Sequence, residues 1–155
     1  MCSSDLPGLR ALERQAVRAG GGFNHRTGLY DGILIKENHQ DLMAPGALKD
    51  AIRRAREEFP DYPLVVEADS VGLAVKLLAE PLDRILLDNL TIEQVTQVVE
   101  KRKTLDARVE LEASGGVTIR RASELARTGV DWISVGALTH SAKAIDFSLD
   151  VRLLS

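Results

Sequence analysis

The sequence has little of what marks a secreted, membrane or nucleic-acid-binding protein. Cys2 is its single cysteine, so no disulfide can form within the chain, and a reducing cytoplasm is the predicted location. No apolar run approaches the roughly 20 residues that span a bilayer, and residues 1–6 lack the apolar core of a signal peptide. The formal net charge of −3 gives no overall attraction to nucleic acid or to an anionic membrane. We therefore expect neither as a partner.

Metal-ligand spacings and low-complexity segments are also missing from the sequence. The three histidines, at positions 25, 39 and 140, have no short ligand spacing, which disfavours a zinc site. No linker or repeat divides the 155 residues, and this length favours one domain. The remaining composition, 45% apolar and 28% charged residues, is ordinary for a globular chain with a core.

Short apolar runs alternate with helical patterns along the chain. Helices are predicted at 9–19, 45–59, 70–78, 91–102 and 118–128, and strands at 32–35, 64–66, 84–87, 108–111 and 132–135. Thr91 and Gln94 fit a capping box at the start of one helix. Alternation of this kind implies parallel strands joined by right-handed crossovers. Strands this short, separated by helices, favour a (β/α) barrel over a sandwich.

Polar or glycine residues stand where the predicted strands end. In a βα barrel those ends converge on one mouth, which is where active sites lie. A polar residue after a strand can also cap the next helix, and for any single position the two explanations are balanced. Their recurrence after all five strands favours a site. The residues are Lys36, Glu67, Asp88, Glu112 with Ser114, and Gly136.

Two glycine-containing loops and one basic cluster indicate anionic ligands. The loops, 113–116 and 136–141, follow the last two predicted strands, which is where many barrels build a phosphate site. His25, Arg26 and Lys36 lie close together in the sequence. Arginine offers a planar fork for a carboxylate and lysine a point charge, so the cluster suits a substrate with two negative charges.

Other conspicuous residues have structural explanations. Trp132 is predicted to be a core residue at a strand start rather than a stacking platform. The basic residues 101–103 are predicted to be solvated and to complement a helix dipole. For His39 a structural hydrogen bond and a ligand role both stay open.

Seven motifs, in order from Pro7 to Leu149, carry a family resemblance. The chain resembles the quinolinate phosphoribosyltransferases in these stretches: Pro-Gly-Leu-Arg (7–10), Gly-Gly-Gly-Phe-Asn-His-Arg-Thr-Gly-Leu-Tyr-Asp (20–31), Leu-Ile-Lys-Glu-Asn-His (34–39), Val-Glu-Ala-Asp (66–69), Leu-Leu-Asp-Asn (86–89), Glu-Ala-Ser-Gly-Gly (112–116) and Ile-Ser-Val-Gly-Ala-Leu-Thr-His-Ser (133–141). The resemblance implies an α/β fold, namely an incomplete (β/α) barrel of the type II phosphoribosyltransferase kind that follows an N-terminal domain.

The resemblance also implies a reaction and a role for each matching residue. The family joins quinolinate to phosphoribosyl pyrophosphate with magnesium, releases pyrophosphate and CO2, and so makes nicotinate mononucleotide for NAD synthesis. The implied catalytic residues are Lys36, Glu67 and Asp88. The implied quinolinate ligands are His25, Arg26 and Lys36. The implied phosphoribosyl pyrophosphate ligands are Glu67, Asp88, Ser114, Gly115, Gly116, Gly136 and His140, with Glu67 and Asp88 also facing Mg²⁺.

The start of the chain departs from the family pattern. A Thr-Arg-Lys-Thr-Thr stretch normally precedes Pro-Gly-Leu-Arg, but here residues 2–6 read Cys-Ser-Ser-Asp-Leu, so Ser3 and Ser4 replace the basic pair. We expect residues 1–6 to be a non-native leader and 7–155 to be the C-terminal barrel domain, truncated on its N-terminal side. A homodimer or higher homo-oligomer is expected of the full-length enzyme.

Two alternatives stay open at this point. A molybdenum-transport-associated paralogue shares the fold and several motifs, although the stretch from Leu29 to His39 matches the quinolinate enzyme better. A fragment without the basic pair could instead be catalytically inactive and still bind a phosphoribosyl ligand.

Overall fold

Five strands and seven helices alternate along the part of the chain that the structure, a computed structural model, describes: residues 8–25, 28, 30–141 and 145–151. The predicted leader at 1–6 and the predicted ligand Arg26 therefore lie outside the described residues. In chain order the elements are α1 (Arg10–Ala19), β1 (Ile33–Ile35), α2 (Glu37–Asp41), α3 (Leu48–Glu58), β2 (Leu64–Ala68), α4 (Val71–Leu77), β3 (Arg84–Asp88), α5 (Ile92–Thr104), β4 (Glu110–Ser114), α6 (Ile119–Ala126), β5 (Trp132–Ile133) and α7 (Ala137–His140).

The strands form one parallel sheet in the order β1-β2-β3-β4-β5. Each strand pairs with the next strand of the sequence, and each connection carries at least one helix. This is the βα rhythm that the sequence predicts, and the prediction of an open, incomplete (β/α) barrel is confirmed.

The two faces of the sheet differ sharply in chemistry. One face is apolar and packs against the helices, whose buried side chains include Ile52, Val95 and Leu125. Burial of each large aliphatic side chain stabilises the fold by about 1.5–3 kcal/mol. The buried sheet residues on this face include Leu64, Val66, Ala68, Ile85, Leu87, Leu111 and Ala113.

The opposite face carries the polar side chains. Side chains alternate along a strand, and paired residues of neighbouring parallel strands point to the same side. Register pairs Glu67 with Leu86, Leu86 with Glu112, and Glu112 with Trp132, so these four form one row across the sheet. Asp88 and Ser114 pair in the next row toward the strand ends. Charged and polar side chains therefore share this face of the sheet with aliphatic ones, Leu86 among them.

Two aspartates each join the start of one strand to the strand before it. Asp83, just before β3, accepts hydrogen bonds through Oδ2 from the Leu64 N–H (2.7 Å) and from Arg56 Nη2 (2.6 Å). Asp131, just before β5, accepts from the Leu111 N–H (2.8 Å) and from Arg102.

The Arg102 contact corrects a prediction. Its side chain is only 16% exposed, and it also donates to the carbonyls of Val109 and Gly129. The prediction of a solvated Arg102 is wrong because a partner 29 residues away in the sequence holds the guanidinium.

Helix starts follow the local sequence closely. The predicted capping box is confirmed, because Thr91 Oγ1 accepts from the Gln94 N–H and Gln94 Oε1 accepts from the Thr91 N–H. Ser70 and Thr118 cap α4 and α6 in the simpler way, each accepting from a backbone N–H three residues later. No helix in the described ranges is long and apolar enough to cross a membrane.

Several elements differ from the predictions in their presence or their bounds. Helices α2 and α7 were not predicted, since both are short and neither begins with a Ser, Thr, Asp or Asn cap. Strand β4 begins two residues later than predicted and continues to Ser114. The reason is pairing: Glu110 lies opposite Arg84 and Ser114 opposite Asp88, so β4 follows the full length of β3.

Candidate active site

A cavity of about 1150 Å³ lies over the polar face of the sheet. All predicted site residues within the described ranges line it: His25, Lys36, Glu67, Asp88, Ser114, Gly115, Gly116, Gly136 and His140. The cavity is slightly larger than the roughly 300–1000 Å³ of a typical small-molecule site. A second cavity, of about 740 Å³, lies at the opposite strand ends and contains none of them.

Lys36 and Glu67 form an ion pair on one side of the cavity. Lys36 follows β1, and its Nζ lies 3.7 Å from Glu67 Oε2 on β2. The lysine side chain is 40% exposed and the glutamate 12% exposed, so the amino group can turn toward a ligand while the carboxylate stays in place. Gln40 Nε2 donates to the Glu67 carbonyl (2.8 Å) and ties α2 to β2.

His39 has a structural role. Its Nδ1 accepts a hydrogen bond from the Lys36 N–H (3.0 Å) and so caps α2, and the residue does not line the cavity. Of the two roles that the sequence leaves open, the structure shows the hydrogen bond. This bond fixes the backbone from which the Lys36 side chain extends.

The loops after β3 and β4 pack tightly on each other. The Asn89 N–H donates to the Ser114 carbonyl (3.1 Å), and Asn89 Nδ2 donates to Asp88 Oδ2 (2.7 Å). Gly115 has φ +91°, and a Cβ there would lie 2.1 Å from Asn89 Oδ1. Glycine is therefore required at 115 both for its backbone conformation and for the close approach of the two loops.

Gly116 differs from its neighbour. It has φ +54°, and a Cβ there would meet nothing within 4 Å. With Thr118 capping α6, this strand–glycine–helix arrangement lets backbone approach an anion near a helix start. The Gly136 and His140 side of the cavity is α7, where His140 Nδ1 lies 2.7 Å from Ser141 Oγ.

Helix α1 covers another side of the cavity. Arg10, Glu13, Arg14 and Val17, spaced as one helix face, line it. Arg14 Nη1 donates to the His25 carbonyl (3.2 Å), and Asn24 Nδ2 donates to the Arg14 carbonyl (3.1 Å). These two bonds attach the segment that carries His25 to α1.

Sequence reasoning missed a charged network on the cavity floor. Arg84 donates to Glu112 Oε2 (2.9 Å) and, through Nη2 and Nε, to Glu110 Oε2 (2.7 and 3.1 Å). Burial opposes the positive charge, but the hydrogen bonds and negative charges of the two glutamates outweigh it, so the pKa of Arg84 is raised. The signal available in the sequence was the alternation of Glu110, Glu112 and Ser114, which puts all three on one face of β4.

The prediction for Trp132 is wrong. The side chain is half-buried at the cavity, where the Arg84 guanidinium lies 4.5 Å from its ring centroid. Trp132 Nε1 donates to Glu110 Oε2 (2.8 Å), and Phe23 packs edge-on against the ring, with 5.3 Å between centroids. A tryptophan at a strand start favours a core position from the sequence alone. Register pairs Trp132 with Glu112, so its side chain lies on the polar face of the sheet.

The donors present match a hard cation better than a soft one. Among the described residues no group of three or more His, Cys, Asp and Glu could hold a metal by itself. Glu67 and Asp88 nevertheless bring two carboxylates to one cavity. Magnesium is typically held by one or two carboxylates together with water and substrate phosphate oxygens, so these residues fit it.

Comparison with known proteins shows the family of this chain. The family model described as the quinolinate phosphoribosyl transferase C-terminal domain matches residues 4–150. The chain belongs to this family. A nicotinate-nucleotide pyrophosphorylase (carboxylating) of Mycobacterium leprae is 47% identical over 146 residues, which are 94% of this chain and 51% of that protein. A quinolinate phosphoribosyltransferase (decarboxylating) of Nicotiana glauca is 35% identical, with 94% of this chain and 45% of that protein covered.

Solved structures of the family have the same fold. The nicotinate-nucleotide pyrophosphorylase of Francisella tularensis matches with a TM-score of 0.79 and 38% identity over 91% of this chain and 49% of that one. The chain thus spans about half the length of the curated relatives and solved structures that it matches. The match to the C-terminal domain of the family falls within that half.

Proposed function

We propose that this chain carries the active site of a carboxylating nicotinate-nucleotide pyrophosphorylase. The reaction transfers phosphoribosyl from phosphoribosyl pyrophosphate to quinolinate and gives nicotinate mononucleotide, pyrophosphate and CO2. The observation that carries the proposal is the single cavity that unites the basic groups His25 and Lys36, the carboxylates Glu67 and Asp88, and two glycine loops. Family membership and the names of the relatives support it.

The basic side of the cavity suits the acceptor. Quinolinate carries two adjacent carboxylates on a pyridine ring. In the proposal His25 and Lys36 bind them, and Arg26 adds its planar guanidinium. Lys36 is free to move because its partner Glu67 lies 3.7 Å away, too far for a tight hydrogen bond.

The acidic side suits the donor. As the bond between ribose C1 and pyrophosphate breaks, positive charge develops on the ribose ring. Glu67 and Asp88, fixed on adjacent strands, stabilise that charge electrostatically and accept hydrogen bonds from the ribose hydroxyls. Magnesium, when bound beside these carboxylates, neutralises the departing pyrophosphate.

The glycine loops suit the phosphate that stays on the ribose. Ser114, Gly115 and Gly116 in one loop and Gly136 and His140 beyond β5 face the cavity. Backbone N–H groups, a hydroxyl and an imidazole are all donors to phosphate oxygens. The phosphate would then anchor the ribose so that C1 faces the pyridine nitrogen.

The second step needs little from the protein. The new bond from the ring nitrogen to C1 makes that nitrogen cationic. The adjacent carboxylate then leaves as CO2, its bonding electrons pass to the ring carbon, and that carbon takes a proton. The protein's task is to hold the other carboxylate, which His25 and Lys36 do in the proposal.

A product assay tests the proposal. The purified chain is given quinolinate, phosphoribosyl pyrophosphate and Mg²⁺, and nicotinate mononucleotide is measured by chromatography. Glu67→Gln keeps the side-chain shape and removes the charge, so we expect a loss of turnover of about 100-fold or more. Glu58→Gln, on a side chain 59% exposed at the end of α3, is the matched control and should leave turnover unchanged.

A second assay with nicotinate in place of quinolinate distinguishes the family reaction from phosphoribosyl transfer to a pyridine with one carboxylate. Product from nicotinate but none from quinolinate would overturn the proposed acceptor. Binding of both substrates without product would instead show a binding module, and the turnover proposal would be wrong for this chain.

A further inference from the structure

We propose that Glu112 is a positioning residue that orients His25 toward the substrate, with Arg84 and Ser134 holding it in place. The inference rests on the proposed function, because it assigns Glu112 a part in quinolinate binding. Glu112 belongs to neither the predicted ligands of quinolinate nor those of phosphoribosyl pyrophosphate.

Glu112 is buried beneath the cavity and is held from more than one direction. Its side chain is 3% exposed. Arg84 Nη1 donates to Oε2 (2.9 Å), and Ser134 Oγ donates to Oε1. Donors on both carboxylate oxygens give this buried side chain one fixed orientation.

The third neighbour of the carboxylate is His25. Its Nε2 lies 3.7 Å from Glu112 Oε1, an ion pair when the imidazole is protonated. The His25 side chain is 45% exposed, so one edge of the ring meets the fixed carboxylate and the rest reaches the cavity. At 3.7 Å the contact is a charge attraction without a hydrogen bond, and it draws this edge of the ring toward the fixed carboxylate.

The same network holds the chain on both sides of Asn24. Phe23 packs edge-on against Trp132, and Trp132 stacks with Arg84, which in turn bonds Glu112. The network therefore contacts the segment that carries His25 at two points, through the Phe23 ring and through the attraction between Glu112 and the His25 ring. Removal of the Glu112 charge releases the second of these contacts and leaves the first.

The test uses the 155-residue chain and a matched pair of variants. Glu112→Gln removes the charge beside His25. Glu80→Gln makes the same change in another buried, ion-paired glutamate, 4% exposed beside Lys49 and Arg53 and outside the candidate active site. The first readout is the ring NMR signals of the three histidines without ligand. We expect Glu112→Gln to shift those of His25 alone, and Glu80→Gln to shift none.

The second readout is quinolinate affinity by calorimetry in a double-mutant cycle. Glu112→Gln and His25→Asn should each weaken binding by about tenfold, and the double variant should be little weaker than either single one. Should Glu112→Gln not fold, Ser134→Ala loosens the same carboxylate and should shift the same His25 signals by less. Unchanged His25 signals, or additive losses in the cycle, would overturn the inference. If the unmodified chain does not bind quinolinate, the proposed function fails, and the ligand-free NMR readout still tests the contact between Glu112 and His25.

Discussion

Replacement of Gly115 by alanine should destabilise the loop that joins β4 to α6. An alanine at φ +91° is strained by about 1–2 kcal/mol. The new Cβ would also lie 2.1 Å from Asn89 Oδ1 and 2.8 Å from the Asn89 backbone nitrogen. Relief of that overlap breaks the bond from the Asn89 N–H to the Ser114 carbonyl, worth about 1 kcal/mol. Together these costs predict a loss of about 2–3 kcal/mol in the free energy of unfolding.

Gly116→Ala is the matched control one residue away. Its φ of +54° lies in the left-handed helical region, and its Cβ would meet nothing. We expect a loss of about 1 kcal/mol from the backbone alone. For a chain of this size, the midpoint temperature of thermal unfolding should fall by about 4–12 °C for Gly115→Ala and by about 2–4 °C for Gly116→Ala.

A rescue variant tests whether Asn89 is the cause. Asn89→Gly removes the two nearest clashing atoms, Oδ1 and Cγ, and a glycine accepts the φ of 55° at that position. In the Gly115→Ala background it should recover part of the lost stability, since only the clash with the backbone nitrogen stays. Calorimetry measures the thermal stability of Gly115→Ala, Gly116→Ala, Asn89→Gly and the double variant Gly115→Ala with Asn89→Gly. Equal losses for the two alanine variants, or no recovery, would refute the steric argument.

Two further predictions concern stability away from the loops. Asp131→Ala removes the acceptor of the Leu111 N–H and one of the acceptors of Arg102, so the free energy of unfolding in urea should drop by about 1–3 kcal/mol. A change below about 0.5 kcal/mol would mean that solvent replaces the carboxylate. The second prediction concerns the pH dependence of stability through Glu93. Hydrogen bonds from its own backbone N–H and from the Thr91 side chain hold the pKa of Glu93 below the ordinary value. A lowered folded-state pKa gives stability that is present above the unfolded-state pKa and lost as pH falls through the folded-state one. Glu93→Gln should therefore flatten the acid side of the curve of urea midpoint against pH, and an unchanged acid side would contradict the assignment.

The candidate site was predictable where chemistry follows local position. Lys36, Glu67 and Asp88 come directly after or at the end of apolar runs, and parallel strands place such positions at one edge. The structure brings all of them to one cavity. Their roles toward substrates stay predictions, because they come from the family resemblance and not from geometry.

The floor of the site was not predictable in the same way. Arg84 contacts Glu110 and Glu112 at separations of 26 and 28 residues, and these contacts exist because register places the residues on adjacent strands. A shift of the pairing by one residue would turn every one of these side chains to the helix-covered face. The spacing of residues along the sequence does not predict which residues of two strands pair.

The sequence by itself determined the alternation of strands and helices, the capping of α5 and the glycine loops, since each depends on residues within one turn or one strand. Tertiary structure alone decided that Arg84 pairs with Glu110 and Glu112, that Trp132 stacks with Arg84 and that His25 stands beside Glu112. The physical reason is range. Backbone conformation and capping are local, whereas a buried charge is stable only where a partner from another strand compensates it, and the fold is what supplies that partner.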